Sequence, residues 1–348
     1  MLIARAPGRV TLIGDHTDYN QGLSLPMAIN LATEARFTPR TGSFLVGVTT
    51  DQFPEPWEIA LINQLDNEMG NTAPPPPQAV LAGALLALAR PPSGGAMEVT
   101  STLPIGAGLS SSAAFSVAFL LALGVDQDLL SLARSCQSAE EAAGSRVGLL
   151  DPLAILGARA GHALSIDFAT LEMDQVTVPE AAQFVVVHCG TSRELGTSLY
   201  ADRRAECETA ANLIGKPLGL CELGDLSALG GSVLRRRGRH VITECARVRE
   251  VRRLLDRGNL RAVGALMTEG HRSLSEDFRV SIPALDELVD RLTRTPGVYG
   301  ARMTGGGFGG CAIALCEPDS PALDVDSYRP RRAWRVEPSA GATVRTGP

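Results

Sequence analysis

The segment GRVTLIGDHTDYNQGLSLP, residues 8–26, gathers side chains that can bind a ligand or move a proton. Arg9, Asp15, His16 and Asp18 stand close together there, among glycines and turn-forming residues. Carboxylates, an imidazole and a guanidinium at this spacing suit a site that hydrogen-bonds the hydroxyl groups of a sugar and holds a phosphate. A solvated polar turn explains the same residue types, so the segment alone leaves both interpretations open.

A second segment, LPIGAGLSSSAA at residues 103–114, breaks a predicted strand and opens a predicted helix. Gly106 and Gly108 lack a Cβ, so the turn can adopt positive φ and its backbone can approach a ligand. Ser110 to Ser112 supply hydroxyls at the helix start, where N–H groups and the helix dipole attract phosphate, and the Ser112 hydroxyl could reach a phosphate-bound Mg²⁺. The alternative is an ordinary serine-capped helix, because the segment is neither a Walker A loop nor a dinucleotide fingerprint.

Asp151 is a single carboxylate within an apolar run, GSRVGLLDPLAILGA at residues 144–158. A charged side chain in such a run is costly unless it is paired or takes part in chemistry. The alternative is a helix cap with Pro152 at the first helical position. Local sequence supports the two interpretations about equally.

A second glycine-rich turn, within YGARMTGGGFGGCAIAL at residues 299–315, precedes a predicted strand. Its glycines allow close approach of another backbone or of a ligand. The sequence therefore predicts that this turn contacts either a bound molecule or the first glycine-rich loop.

Hydrophobic periodicity places these motifs on a framework of strands and helices. We expect strands at residues 1–6, 28–38, 43–50, 96–103, 183–188 and 333–338, and helices at 78–89, 113–123, 127–143, 198–214, 243–256, 260–273 and 282–293. Pro7 and Gly8 should end the first strand, residues 51–77 should form a loop, and the tail after 338 should be mobile. His240 and His271 have no partner at metal-ligand spacing and are predicted to lie on the surface.

Length and composition limit the class of protein. The 348 residues allow two domains, and we expect them at 1–175 and 176–348, because the apolar pattern lapses near residues 168–182. A net charge of −6 without a long run of one sign argues against a nucleic-acid partner. Seven cysteines without C-x-x-C spacing, and no apolar run of membrane-spanning length, predict a cytoplasmic protein without a membrane partner.

Taken together, three segments in this order resemble the GHMP kinase superfamily and, within it, the galactokinase family. GRVTLIGDHTDYN is similar to the sugar signature, PIGAGLSSSAA to the ATP loop, and GARMTGGGFGGCAIAL to the C-terminal glycine motif. SLYADRRAECE, residues 198–208, is similar to the helix that carries a sugar-facing tyrosine. The resemblance implies an α+β fold of two domains with the active site in the cleft between them. It also implies phosphorylation of galactose by ATP at the anomeric hydroxyl, giving galactose 1-phosphate.

The resemblance also implies a role for each matching residue. Asp151 would be the carboxylate beside the attacking hydroxyl, and Arg9 would lie by the transferring phosphoryl group. Ser112 and Glu140 would hold Mg²⁺. The sugar pocket would be lined by Asp15, His16, Thr17, Asp18 and Tyr200, and ATP would be cradled by Gly106, Ala107, Gly108, Leu109, Ser110, Ser111 and Ser112.

The chain departs from the family pattern at several positions, which leaves alternatives open. Asp15 stands where galactokinases usually have Glu, and Pro152 where Gln normally follows the catalytic Asp. The stretch after Glu140 is one residue shorter than usual, so Glu141 is the alternative metal ligand. The shorter Asp15 makes a kinase for another small sugar, such as arabinose or an amino sugar, an alternative. A sugar- and ATP-binding regulator without catalysis is a second one, and a monomer or weak homodimer is expected.

Overall fold

The structure, a computed structural model, describes residues 1–61, 77–145, 147–191 and 196–347. The strands in these ranges are β1 (Leu2–Ile13), β2 (Leu23–Pro39), β3 (Leu45–Thr50), β4 (Phe53–Ala60), β5 (Gly95–Ser101), β6 (His162–Asp167), β7 (Met173–Thr177), β8 (Gln183–His188), β9 (Val298–Thr304), β10 (Cys311–Cys316), β11 (Ala333–Val336) and β12 (Thr343–Thr346). The helices are α1 (Pro77–Ala89), α2 (Ser111–Ala122), α3 (Leu129–Ala142), α4 (Leu150–Gly157), α5 (Gly196–Ile214), α6 (Ser232–Asp256), α7 (Leu260–Ser273) and α8 (Pro283–Thr293).

The described strands form two sheets. The larger has the order β12-β1-β2-β5-β3-β4, with β6 beside β2 and β7 beside β6. The smaller is antiparallel, in the order β11-β8-β10-β9, and is buried on both faces. Phe184 and Val186 of β8 face the core that the larger sheet shares, whereas Val185 and Val187 face a second core with α5, α6 and α8. Such burial explains the continuous apolar run of β8.

Strand β1 is longer than the sequence predicts, because Pro7 and Gly8 do not end it. The strand passes through both residues with a register shift against β2, and the Arg9 N–H donates to the Leu109 carbonyl across from it. A Cβ on Gly8 would overlap the side chain of Leu103, so glycine permits this close contact. The extension of β1 carries Arg9 into the interior.

The helices that support the first glycine-rich loop form where apolar periodicity predicts them. Helix α2 is apolar on all faces and is packed between the larger sheet and α1, α3 and α4. Helix α3 begins after Asp128, whose carboxylate accepts a hydrogen bond from the Ser131 N–H as an N-cap. These contacts fix the start of α2, and therefore the loop before it.

Three further predictions about the framework are wrong. Residues 53–60 form strand β4 instead of a loop, while residues 62–76 lie outside the described ranges. His240 and His271 are buried, because α6 begins at Ser232 and both helices are packed inside the second half. The tail after residue 338 contains β12, which pairs with β1 from Leu2 to Arg5.

The α+β fold class predicted from the sequence is confirmed by this architecture. The boundary between residues 175 and 176 stays a prediction, and the return of β12 to the first sheet shows that the last residues pack with the first half. No helix among the described residues has the length and apolar character needed to cross a bilayer.

Candidate active site

An ion pair between Arg9 and Asp151 lies at the centre of the site. Arg9 is on β1, and its Nε and Nη2 lie 2.8 Å and 2.6 Å from Asp151 Oδ1. Its Nη1 donates to the Gly108 carbonyl at 2.7 Å. Asp151 is in the first turn of α4, yet its side chain caps no helical N–H group, so the helix-cap interpretation is wrong. The carboxylate is therefore paired by a guanidinium that also holds the first glycine-rich loop.

The second oxygen of Asp151 has a partner from the loop itself. Ser110 Oγ donates to Asp151 Oδ2 at 2.5 Å. Ser110 immediately precedes α2 and adopts a left-handed conformation, with φ of 62°, and its side chain makes no capping hydrogen bond. The sequence prediction of a hydroxyl that caps the helix is wrong for this serine.

The first glycine-rich loop presents mainly its backbone. Gly106 and Gly108 have φ of 70° and 79°, and a Cβ on Gly106 would point into open space. The side chains of Ala107 and Leu109 are buried in the core, so these two residues can offer a ligand only their peptide groups. A Cβ on Gly305 would lie 2.7 Å from the Gly108 carbonyl oxygen. The second glycine-rich turn therefore contacts the first loop, one of the two predicted partners.

Ser112 and Glu140 form the oxygen pair expected for a metal. Ser112 Oγ lies 2.9 Å from Glu140 Oε2, while Glu141 is exposed on the next position of α3. Burial, followed by the nearby charge of Asp151, raises the pKa of Glu140 to about 7. No three His, Cys, Asp or Glu side chains cluster as a metal site within the described ranges. Mg²⁺ commonly takes one or two protein carboxylates together with phosphate and water, so the pair fits that ion.

Asp15 lies where a sugar ligand is predicted, but its carboxylate faces protein groups. Oδ2 pairs with Arg302 Nη2 at 2.9 Å, and Oδ1 accepts from the Gly305 N–H at 3.1 Å. Arg302 also pairs with Glu244 of α6, at 2.8 Å. Burial raises the pKa of Asp15 to about 6, against the opposing effect of Arg302. Both oxygens of Asp15 thus join the sugar signature to β9 and to the glycine-rich turn that follows it, and a direct contact between Asp15 and a sugar stays a prediction.

The rest of the sugar signature forms a wall of aromatic rings. His16 has φ of 64°, and its ring centroid is 4.7 Å from Phe278 and 5.4 Å from Tyr200. His16 Nδ1 lies 2.9 Å from the Tyr19 hydroxyl, and Tyr19 and Tyr200 meet edge to face. Tyr200 of α5 therefore packs against the signature, and its contact with a sugar stays a prediction.

Thr17 and Asp18 differ in what they can offer a ligand. The Thr17 hydroxyl is fully buried and donates to the carbonyl of Gly14 or Leu23, so it stabilises the turn. Burial raises the pKa of Asp18 to about 6, and the charge of Asp151 adds to the effect. A Cβ on Gly148 would overlap the Asp18 carboxylate, so the segment before α4 packs against that group.

Sequence reasoning missed two features close to these residues. A groove beside the start of α2 is lined by Gln52, Phe53, Trp57, Gln78, Phe115 and Ser112, among others. Its residues come from β2, β3, β4, β5, α1 and α2 and from the segments just before β4 and α2, and no motif joins them. The Arg302–Glu244 pair was also missed, although an arginine inside the apolar strand of YGARMTGGG was a signal that a buried acid must exist.

Three family models match the chain. They are the galactokinase galactose-binding signature at residues 2–39, the GHMP kinases N terminal domain at 79–158 and the GHMP kinases C terminal model at 251–328. Curated galactokinases are also similar. That of Canis lupus familiaris is 41% identical over 91% of this chain and 84% of its own length, and that of Chloroflexus aurantiacus is 38% identical over 98% and 92%.

Solved structures agree with these matches. The crystal structure of Lactococcus lactis galactokinase complexed with galactose superposes with a TM-score of 0.86, at 27% identity over 98% of this chain and 95% of that one. The Methanococcus jannaschii mevalonate kinase, with a TM-score of 0.65 and 19% identity over 96% and 97%, shares the fold. The fold and the site therefore define a two-domain GHMP kinase, as the sequence predicts. Within that class, the chain belongs to the galactokinase family.

Proposed function

We propose that this protein transfers the γ-phosphoryl group of ATP to the anomeric hydroxyl of galactose, releasing galactose 1-phosphate and ADP. The observation that carries the proposal is the Asp151 carboxylate, which Arg9 and Ser110 hold between the sugar signature and the first glycine-rich loop. A base (Asp151), a cationic side chain (Arg9) and a phosphate-binding loop therefore lie next to one another. Phosphoryl transfer to an alcohol requires these three groups.

In the proposed reaction the anomeric oxygen forms a bond to the γ-phosphorus and its proton passes to Asp151. The bond between the γ-phosphorus and the β–γ bridging oxygen breaks, and ADP leaves with that electron pair. Negative charge on the γ-phosphoryl oxygens is stabilised by the Arg9 guanidinium and by the N–H groups at the start of α2. Asp151 orients the hydroxyl in addition to accepting its proton.

Mg²⁺ would be held by Ser112 and Glu140, whose oxygens lie 2.9 Å apart. When bound, the ion supplies positive charge that neutralises the phosphate oxygens of ATP. Glu140 suits this role because a buried carboxylate with a raised pKa gains a partner for its charge when a cation binds. Glu141 is exposed and lies on another face of α3.

The groove beside the start of α2 is the proposed site of the adenine base. Trp57, Phe53 and Phe115 provide flat apolar surfaces, and Gln52 and Gln78 provide amide groups able to hydrogen-bond a purine edge. Ser111 and Ser112, at the start of α2, line the same groove. A nucleotide with its base in this groove would therefore have its phosphates at the glycine-rich loop.

The sugar would lie in the cleft between the two domains, bounded by His16, Asp18 and Tyr200. Rings at 5.4 Å from one another give an apolar face for the sugar, and the Asp18 carboxylate gives a hydrogen-bond acceptor for its hydroxyls. The charge of Asp151 contributes to the raised pKa of Asp18, so the two carboxylates lie close enough for one small ligand to touch both. Asp15 would act by holding this turn in place.

The second candidate function is a kinase for another small sugar. The contacts of Asp15 support this candidate. Asp15 is one methylene shorter than the usual Glu, and both of its oxygens are engaged by Arg302 and Gly305. Because both oxygens already have protein partners, Asp15 gains less from a hydrogen bond to a sugar hydroxyl than an unpaired carboxylate would, and it loses less when that hydroxyl is missing. Sugars that lack one exocyclic hydroxyl should therefore be used with modest loss.

The test is ADP release measured with galactose, 6-deoxygalactose, L-arabinose, galactosamine and glucose, for the wild type and Asp151→Asn. We expect turnover of galactose, less than tenfold loss in kcat/KM for the first two analogues, and a loss of about 10² to 10⁴ in kcat for the variant. ADP binding should be unchanged in Asp151→Asn. ATP binding without turnover of any sugar would instead identify a regulator, and an active Asp151→Asn would exclude Asp151 as the base.

A further inference from the structure

Ser110 has an unusual backbone and an unusual use of its side chain. A serine just before a helix normally has extended backbone and accepts a hydrogen bond from an N–H group of the first turn. Ser110 instead has φ of 62° and ψ of 41°, and its side chain makes no such bond. Side-chain-bearing residues are strained in this region, and strain of this kind persists where the surrounding structure holds it for a purpose.

The Ser110 hydroxyl hydrogen-bonds to Asp151 instead of to the helix. Ser110 is 8% exposed, so water competes little for its hydroxyl, and Oγ donates to Asp151 Oδ2 at 2.5 Å. Arg9 occupies the other oxygen, Oδ1, with two nitrogen atoms. The carboxylate is thereby fixed at both oxygens and cannot rotate about its Cβ–Cγ bond without breaking a charge-assisted hydrogen bond.

We propose that Ser110 is a positioning residue for Asp151, which keeps the second acceptor site of Oδ2 directed at the sugar hydroxyl. The proposal rests on the function proposed above. It also reassigns Ser110: its side chain serves the carboxylate, and ATP meets this part of the loop through the backbone and through Ser111 and Ser112. A serine that bound ATP with its hydroxyl would leave Oδ2 without its donor.

The decisive variant is Ser110→Gly, because glycine adopts positive φ without strain and lacks the hydroxyl. If Ser110 served only the conformation of the loop, Ser110→Gly would be at least as stable as the wild type and equally active. We expect an unchanged or raised melting temperature, a fall in kcat of about tenfold to a hundredfold, and a KM for ATP within about twofold of the wild type. Ser111→Ala is the matched comparison and should raise the KM for ATP instead.

A double-mutant cycle with Asp151→Asn shows whether the effect passes through the carboxylate. Residues that act as one unit have non-additive effects, so Ser110→Gly should cause no further loss of kcat in the Asp151→Asn background. Equal fold-losses in both backgrounds would overturn the proposal. A raised KM for ATP with unchanged kcat in Ser110→Gly would also overturn it, by identifying an ATP ligand.

The experiment separates failure of this proposal from failure of the proposed function. The wild type is first assayed with galactose, and absence of turnover would end both. With turnover present, the four proteins of the cycle are also unfolded in urea. The two substitutions could have non-additive effects on the free energy of unfolding but independent effects on kcat. That result would show that the hydrogen bond exists but does not serve catalysis, and it would overturn the role assigned to Ser110.

Discussion

Arg302 and Asp15 form an ion pair that is closed to solvent, with Nη2 2.9 Å from Oδ2 and the guanidinium completely buried. The same guanidinium binds Glu244 at 2.8 Å, and Glu244 accepts the Gly14 N–H at 2.9 Å. Arg302 lowers the pKa of Glu244 far below its ordinary value, against the effect of burial. Two acids from distant parts of the chain are therefore held by one arginine of β9.

Replacing Arg302 with Met should destabilise the protein strongly, because it leaves the buried Asp15 carboxylate without its ion-pair partner and leaves Glu244 with Arg247 alone. Loss of one partner of a buried ion pair commonly costs about 3 to 5 kcal/mol. Arg345→Met is the control, since Arg345 pairs with Glu34 at the surface and such pairs contribute about 0 to 1 kcal/mol. Urea unfolding of both variants measures the difference, and similar losses would contradict a structural role for the Arg302 pair.

The buried His240 should make the protein sensitive to acid. Burial lowers the pKa of His240 to about 4, from an ordinary value of 6.5. The unfolded chain therefore takes up the proton first, so the stability that the neutral imidazole contributes is complete above pH 6.5 and is lost as the pH falls towards 4. When the pH falls from 7 to 4.5, the free energy of unfolding of the wild type should therefore decrease by about 2 to 3 kcal/mol more than that of His240→Gln.

The measurement is urea unfolding of the two proteins at several values of pH. Asp15 titrates in both of them, and its raised pKa acts in the opposite direction, so the difference between the proteins isolates the histidine. Parallel curves for wild type and variant would mean that the pKa of His240 is the same in the folded and unfolded chains.

Glu140→Gln should raise the Mg²⁺ concentration needed for half-maximal activity, because an amide lacks the charge that a hard cation prefers. Glu141→Gln is the matched control one position further along α3, and its exposed side chain should leave the requirement unchanged. The assay is a Mg²⁺ titration of ADP release at constant ATP. The reverse result would assign the metal to Glu141, the alternative that the shortened sequence after Glu140 leaves open.

Gly305→Ala should weaken ATP binding indirectly, by displacing the first glycine-rich loop. The new Cβ would lie 2.7 Å from the Gly108 carbonyl oxygen, and φ of 82° adds strain, so the two glycine-rich segments must separate. A shift of this size at a phosphate-binding loop should raise the KM for ATP by about tenfold or more. Gly215→Ala has φ of 86° but open space around the Cβ, so it should cost only about 1 kcal/mol of stability and leave KM unchanged.

Local sequence predicts well those parts of the protein that local forces determine. Helices α1, α7 and α8 begin and end within a residue of their predicted limits, because apolar spacing and terminal residues specify them. Arg9 and Asp151 were each named from local sequence only as one of two open interpretations, and the family resemblance supplied their roles. The limits of these three helices require no knowledge of what lies far away in the chain.

Features that depend on distant partners were not predictable in the same way. Asp15 and Arg302 are 287 positions apart, and a carboxylate among turn residues looks the same whether it faces a sugar or a buried arginine. A proline commonly ends a strand, but at Pro7 a register shift and the following glycine allow β1 to continue. Ser110 resembles a helix cap in sequence, and only the position of Asp151 shows that its hydroxyl points elsewhere.

The pairing of β12 with β1 determines how the protein responds to a pull on its ends. The strands are antiparallel, with Leu2 opposite Thr346, and the Gly347 N–H donates to the Met1 carbonyl at 3.1 Å. A force on residues 1 and 347 would thus open the ladder one hydrogen bond after another, as in unzipping, rather than shear all of them together. Arg9 lies beyond the last rung at Arg5 and is held by β2, so tethering through both ends would release β12 before any load reached the site.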